Sequence, residues 1–353
     1  MKNIMKILFA ISTSFALIAS SANAGELSVS GTAKATYSIV SGYNGVTNLG
    51  GDKGVAVANE LNFGASGELD NGWTWNYSTE LDPGASAAGG NAINDDNQLT
   101  LKTNYGTIGF FTSEGGLSTG LKFSQDAYGL MSDTGYAEGK TEAANINGFN
   151  NVQYHLPADM LPFSTTAKVA YATSGNNTVG SSNTSNVSGS STVDNVTQYQ
   201  ITTVPLEGMK VYASYLEKGS IGTVEQDAAS GAISVTYDIA GTNASLGFGV
   251  SMNEPVIADE AQGEDVVAYT TNENISLGYV VNDDLSVSYT RERSENETFT
   301  TTNTVSDIEI DSFQAAYTMG GMTLAIAHTK YDNVGYVANR EADETIFAMT
   351  MAF

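Results

Sequence analysis

Few side chains in this sequence are equipped for covalent chemistry. It has no cysteine, which removes a thiolate nucleophile, a zinc–thiolate centre and any disulfide frame. Its two histidines are His155, just before Pro157 in a short connection, and His328, near a long one. If those connections mark opposite ends of the fold, the two cannot serve one catalytic centre, which needs base and nucleophile within hydrogen-bond reach. Residues 116–122 carry two glycines and a lysine, but they do not match a phosphate-binding loop and lack its strand–loop–helix context. No enzyme is expected. What remains is electrostatic. The long stretch 115–148 carries Asp126, Asp133, Glu138 and Glu142, with Glu114 at its root, and Lys34, Lys102, Lys168 and Lys210 sit on the polar face of alternating strands. Such a set makes a field rather than a reaction. The acid pairs Asp95-Asp96, Asp259-Glu260 and Glu264-Asp265 are read as solvated loop charges, because their spacing fits no calcium loop; loop-bound calcium is the alternative, and no other cofactor is expected.

The elements that must position these charges are short alternating runs. Leu27, Val29, Ala33, Ala35, Tyr37 and Ile39 alternate with Ser28, Ser30, Thr32, Lys34, Thr36 and Ser38. The same period of two recurs at Trp73, Trp75 and Tyr77, at Val211, Ala213 and Tyr215, and at Leu285, Val287 and Tyr289, and it marks β-strands with one apolar face. In 266–281 the phase slips, which places a bulge near Glu273. The last stretch, 343–353, alternates Phe347, Met349, Met351 and Phe353 with Ala348, Thr350 and Ala352. A strand like that cannot stay an open edge, because its unpaired backbone groups would recruit other chains. Its natural partner is the first strand, 26–39, and that pairing closes the sheet into a barrel. A closed barrel is the β arrangement that satisfies every backbone polar group in lipid.

The connections alternate long and short. The short ones are 70–71, 104–106, 157–162, 205–208, 240–242, 282–284 and 319–321; the long ones are 40–54, 82–96, 115–148, 174–192, 218–227, 254–264, 292–306 and 332–342. Interleaved, they join about sixteen antiparallel strands with both termini at one end. A soluble sandwich has no reason to gather its long loops at one end, whereas a membrane barrel has two different mouths. Tyr37, Trp73, Tyr105, Tyr154, Tyr171, Tyr237, Tyr289 and Tyr331 lie near strand ends, where aromatic girdles meet the membrane–water interfaces.

Residues 1–24 read as a signal peptide: Lys2 and Lys6, an apolar run, then Ala22-Asn23-Ala24 as a cleavage site. That run is too short for a membrane helix, and no other stretch approaches one. The mature barrel then spans 25–353. Removing Lys2 and Lys6 leaves 12 lysines and arginines against 39 acids, a balance of −27. Nucleic acid is excluded as a partner, since its phosphates demand a basic footprint.

The leader, the alternating strands, the long–short connections, the 67–72 turn, the run 99–116 and the terminal Phe353 together resemble the general diffusion porins of Gram-negative outer membranes. The resemblance covers the whole mature chain. It implies a homotrimer of sixteen-stranded barrels in the outer membrane, in contact with lipid and lipopolysaccharide, each with a water-filled channel for small hydrophilic solutes and ions. It also implies that the third external loop, here 115–148, folds into the lumen and narrows it. The acidic–glycine signature at the start of that loop is partly present, as Ser113 to Gly116. On this reading Glu114, Asp126, Asp133, Glu138 and Glu142 face Lys34 and Lys102 across the constriction, and the surplus of acids predicts a preference for cations. The alternatives are a solute-selective porin of the same fold, for which Tyr128 and Tyr136 would supply aromatic contacts, and a non-channel surface or adhesion protein.

Overall fold

In the computed structural model, residues 15–16, 26–43, 48–82, 93–112, 115–117, 127–129, 143–157, 160–173, 193–220, 224–255, 257–258, 267–298 and 305–353 are described. The alternating runs become sixteen long strands: β1 Glu26–Tyr43, β2 Asn48–Glu68, β3 Thr74–Asp82, β4 Ile93–Thr103, β5 Gly106–Thr112, β6 Asn151–His155, β7 Thr166–Ala172, β8 Val193–Thr203, β9 Met209–Ser220, β10 Ala228–Asp238, β11 Ala244–Glu254, β12 Val267–Val280, β13 Leu285–Thr298, β14 Ile308–Met319, β15 Met322–Asp332 and β16 Glu341–Ala352. Each pairs antiparallel with the next, and β16 pairs with β1, so the sheet closes. The closing seam runs from Ala342 opposite Gly42 to Ala352 opposite Thr32, and it continues through Phe353, which exchanges backbone hydrogen bonds of 2.8 and 3.0 Å with Gly31.

Side-chain alternation does the sorting. Val55, Val57, Ile275, Phe313, Phe347 and Met351 all point outward and stay exposed, Val55 at 79% and Phe313 at 60%. Their neighbours one position along point inward, and there Gln153, Gln198, Asn272, Asn274, Thr290 and Ser312 are buried. This inversion of the soluble pattern, with apolar side chains outside and amides and hydroxyls inside, is what a spanning barrel with a wet interior requires. No helix among the described residues is long and apolar enough to cross a membrane.

The short connections are built by turn chemistry. Between β2 and β3 the side chain of Asn71 accepts the Trp73 N–H at 3.1 Å, and Gly72 takes φ +80°, a conformation that favours glycine. Between β12 and β13 the Asn282 side chain accepts the N–H groups of Asp284 and Leu285, each at 2.9 Å.

Four details differ from the sequence reading. The strands run further into the long connections than expected. β1 and β2 occupy most of 40–54, β9 continues to Ser220 and β13 to Thr298. Residues past the alternating stretch still pair in the ladder, because the ladder needs only backbone partners and no apolar face. Val224–Gln226 and Ile257–Ala258 form a second small sheet from what read as loop. The register shift in β12 falls between Val267 and Tyr269, not at Glu273, whose pairing with Val250 and Arg293 is regular. Tyr331 is not part of an outer girdle: its position on β15 faces inward, 1% exposed, in a cluster with Ile308, Ile310, Val334 and Ala342. Of residues 1–24 only Phe15–Ala16 is described, its backbone paired with Ser28 and Val29, so the signal-peptide reading otherwise lies outside the described residues.

Candidate functional site: a segment across the lumen

The connection between β5 and β6 is built into the barrel interior at three places. At its start, Gly115 and Gly116 allow the turn inward. Gly115 has φ +102°, and a Cβ on Gly116 would lie 2.0 Å from the Asn145 side chain, so no larger residue fits as the chain stands. The Gln153 amide on β6 donates to the Gly115 carbonyl. Leu117 then donates its N–H to Gln198 on β8 at 3.2 Å, and its carbonyl accepts from Gln200 at 2.8 Å. The returning end meets the same glutamine, with the Ile146 N–H on Gln198 Oε1 at 3.0 Å. One inward amide thus ties the two ends of the segment together. Leu117 and Ile146 are buried against Ala170, Ala172, Val196 and Leu216 of β7, β8 and β9, with Phe149 alongside. Full burial of two such side chains contributes about 1.5–3 kcal/mol each.

The middle of the segment is held by other strands. The Ala127 N–H donates to Ser288 Oγ on β13 at 2.8 Å. Gln314 on β14 accepts the N–H groups of Tyr128 and Gly129 at 2.8 and 3.3 Å, and its own amide donates to the Gly129 carbonyl at 3.0 Å. Ala144 then donates to Ser230 on β10 at 2.8 Å and to Asn253 on β11 at 2.9 Å. Because β8 and β14 stand six strands apart in a closed ring of sixteen, the segment crosses the lumen. Where it is described, its irregular backbone is permitted because inward side chains of the barrel wall, not lipid, meet it and satisfy its polar groups.

The lysines separate by height. Lys34, on the inward face of β1, has its Nζ 4.6 Å from the centre of the Tyr128 ring, within cation–π range. It therefore reaches the crossing segment. Lys102 does not: it lies one residue before the end of β4, beside the short connection to β5. Lys168 and Lys210 also stand close to short connections, on β7 and β9. Alternation gives a residue's face but not its height, which is why these four looked alike in the sequence. Lys218 was missed, because β9 was read as ending before it. Its Nζ lies 5.3 Å from the Phe149 ring, at the segment's other anchor. Glu114, Asp126, Asp133, Glu138 and Glu142, together with Tyr136 and the loop acid pairs, lie outside the described residues or side chains. Among the described residues no group of histidines and acids is arranged to hold a metal. His155 lies at the short-connection end of β6 with its ring against Phe111, and His328 faces outward on β15, its Nδ1 2.9 Å from Thr345 Oγ1.

A model of the Gram-negative porin family matches residues 12–352, and the chain belongs to that family. It is an outer-membrane protein of a Gram-negative bacterium. Solved structures of the same fold include the anion-selective porin from Comamonas acidovorans, at 13% identity and TM-score 0.68, covering 93% of this chain and 99% of that one. The outer membrane channel DcaP of Acinetobacter baumannii matches at 13% identity and TM-score 0.66, covering 96% and 100%. OmpF of Salmonella typhi matches at 13% identity and TM-score 0.61, covering 93% and 98%. Among curated proteins none matches the sequence.

Proposed function

We propose that the protein is a homotrimeric passive channel for small hydrophilic solutes and ions, and that it prefers cations. The observation that carries the reading is the segment pinned across a lumen of amides and hydroxyls. It leaves a wetted path and narrows it, so solutes are sorted by size and charge rather than by tight binding. Support for the cation preference is the mature balance of −27 and the acids that the crossing connection contributes, against few inward lysines. The porin of similar fold from Comamonas acidovorans is anion-selective, so the fold alone does not set a cation preference and the proposed sign rests on this chain's own charges. The trimer rests on family membership. Proteoliposome swelling with sugars of increasing size tests the size limit, and reversal potentials in a salt gradient test the sign. Swelling that falls as sugar size rises and a cation-selective potential are expected; swelling independent of sugar size, or an anion-selective potential, contradicts the reading.

A further inference from the structure

We infer that the last long connection, residues 333–340 between β15 and β16, is a second restriction of the channel, in which Val334 and Tyr336 set the size of solute admitted at the long-connection mouth. The inference rests on the channel reading above, and it names residues outside the crossing segment.

The connection is folded inward and fastened to the inner wall. Val334 is 2% exposed and packs with Ile308 and Ile310 on β14, Tyr331 on β15 and Ala342 on β16. Ile308 and Ile310 share the face of the buried Ser312 and Gln314, whereas Phe313 points outward, so this apolar cluster lies inside the barrel. Tyr336 reaches further round the wall. Ser294 Oγ on β13 gives its proton to Asn272 at 2.7 Å and accepts from the Tyr336 hydroxyl at 2.8 Å. The Tyr336 carbonyl accepts the Ser306 N–H at 3.1 Å. Asn333 fixes the base of the connection. Its Nδ2 donates to the Asp307 carbonyl at 2.8 Å, and its Oδ1 accepts the Asn339 N–H at 3.1 Å. The Val334 N–H closes the connection on the Arg340 carbonyl at 3.0 Å.

The backbone carries the mark of that fastening. Asn333, Gly335, Tyr336 and Asn339 all take left-handed φ values, between +58° and +66°. Glycine and asparagine adopt this conformation readily, and tyrosine does not. The contacts of Tyr336 therefore maintain a conformation that a free connection would relax.

The placement bears on passage. A connection standing upright on the rim would leave the mouth as wide as the barrel. This one lies against the inner faces of β13 to β16, four strands of the sixteen. On β14 its contacts stand nearer the long-connection end than Gln314, which latches the crossing segment. Gln314 lies four residues beyond Ile310, about 13 Å along the strand. A solute entering by this mouth meets two obstacles in series, the folded connection first and the crossing segment second. Tyr336, partly exposed, stands at the edge of the first.

The test uses the purified full chain in planar bilayers, inserted from one chamber, with polyethylene glycols of increasing size added to one side at a time. A polymer that enters a mouth lowers the conductance, and one that is excluded does not. In V334S/Y336S the exclusion limit should move to larger polymers from one side only, because the substitutions remove the apolar packing that holds the connection down. Y336F removes the hydroxyl alone and leaves Ser294 bonded to Asn272. It should shift the same limit in the same direction by less, and it serves if the double variant does not fold. An unchanged limit in the double variant, or in Y336F should the double variant not fold, overturns the inference alone. A shift that is equal from the two sides overturns it as well. Absence of any wild-type conductance overturns the channel reading and this inference with it.

Discussion

Gln314 grips Gly129 as one strand grips another. Its Oε1 accepts the Gly129 N–H at 3.3 Å and its Nε2 donates to the Gly129 carbonyl at 3.0 Å, while the same Oε1 takes the Tyr128 N–H at 2.8 Å. A single wall amide thereby substitutes for a stretch of β-ladder and fixes the far point of the crossing segment. Ser312 supports it, accepting from Nε2 at 3.2 Å and bonding to Thr329 at 3.0 Å.

Replacing Gln314 with alanine removes those bonds while leaving the β14 backbone pairing intact. Orphaned backbone groups cost about 1–3 kcal/mol each where water cannot reach them. The Q314A channel should keep its barrel but show a noisier open current with more frequent substates. Single-channel recording decides this; a current as quiet as wild type contradicts the latch.

At the opposite anchor, Ile146→Ala leaves a cavity among Leu117, Val196 and Leu216. The substitution should destabilise the docked segment by about 2–5 kcal/mol. The chain should become sensitive to protease between residues 117 and 146 while the barrel resists. Cleavage at the wild-type rate contradicts the anchor.

Lys34 is the one lysine of β1–β4 that reaches the crossing segment. Lys34→Gln should raise cation selectivity, and Lys34→Glu should raise it further, each with little effect on folding because the side chain faces the lumen. Reversal potentials measure it. The same change at Lys102 should shift the potential less, since it stands at the mouth. Equal shifts from both positions contradict the separation by height.

The two faces of β16 make opposite predictions. Phe347 points outward and stacks at 6.5 Å on Tyr37, whereas Thr350 points inward opposite Lys34. Phe347→Lys places a charge against hydrocarbon and should cost about 2–4 kcal/mol if it sits near the bilayer midplane. Thr350→Lys should cost far less. Urea unfolding in lipid vesicles compares them, and similar costs would contradict the assignment of faces.

The fold was legible because a period of two is a local signal: Leu27 to Ile39 and Phe347 to Phe353 each announce their apolar face without reference to the rest of the chain. Closure was legible from the last strand's need for a partner, and β16 pairs with β1 as that argument requires. Strand ends were less legible, since Val40 to Tyr43 and Lys218 to Ser220 stay in the ladder after the apolar pattern stops. Tyr331 was misplaced because its position near a strand end says nothing of its face. The crossing segment's anchors were invisible in the sequence. Gln198 and Gln314 look like any other inward polar residue, and their partners, Leu117 and Gly129, lie 81 and 185 residues away.

The proposed channel is a wetted path that the barrel encloses and the pinned segment narrows. Single-channel recording of the purified protein in planar bilayers tests it most directly. Discrete ohmic steps that arrive in threes and grow in proportion to salt concentration are expected. A bilayer that stays silent although the protein is inserted and folded contradicts it.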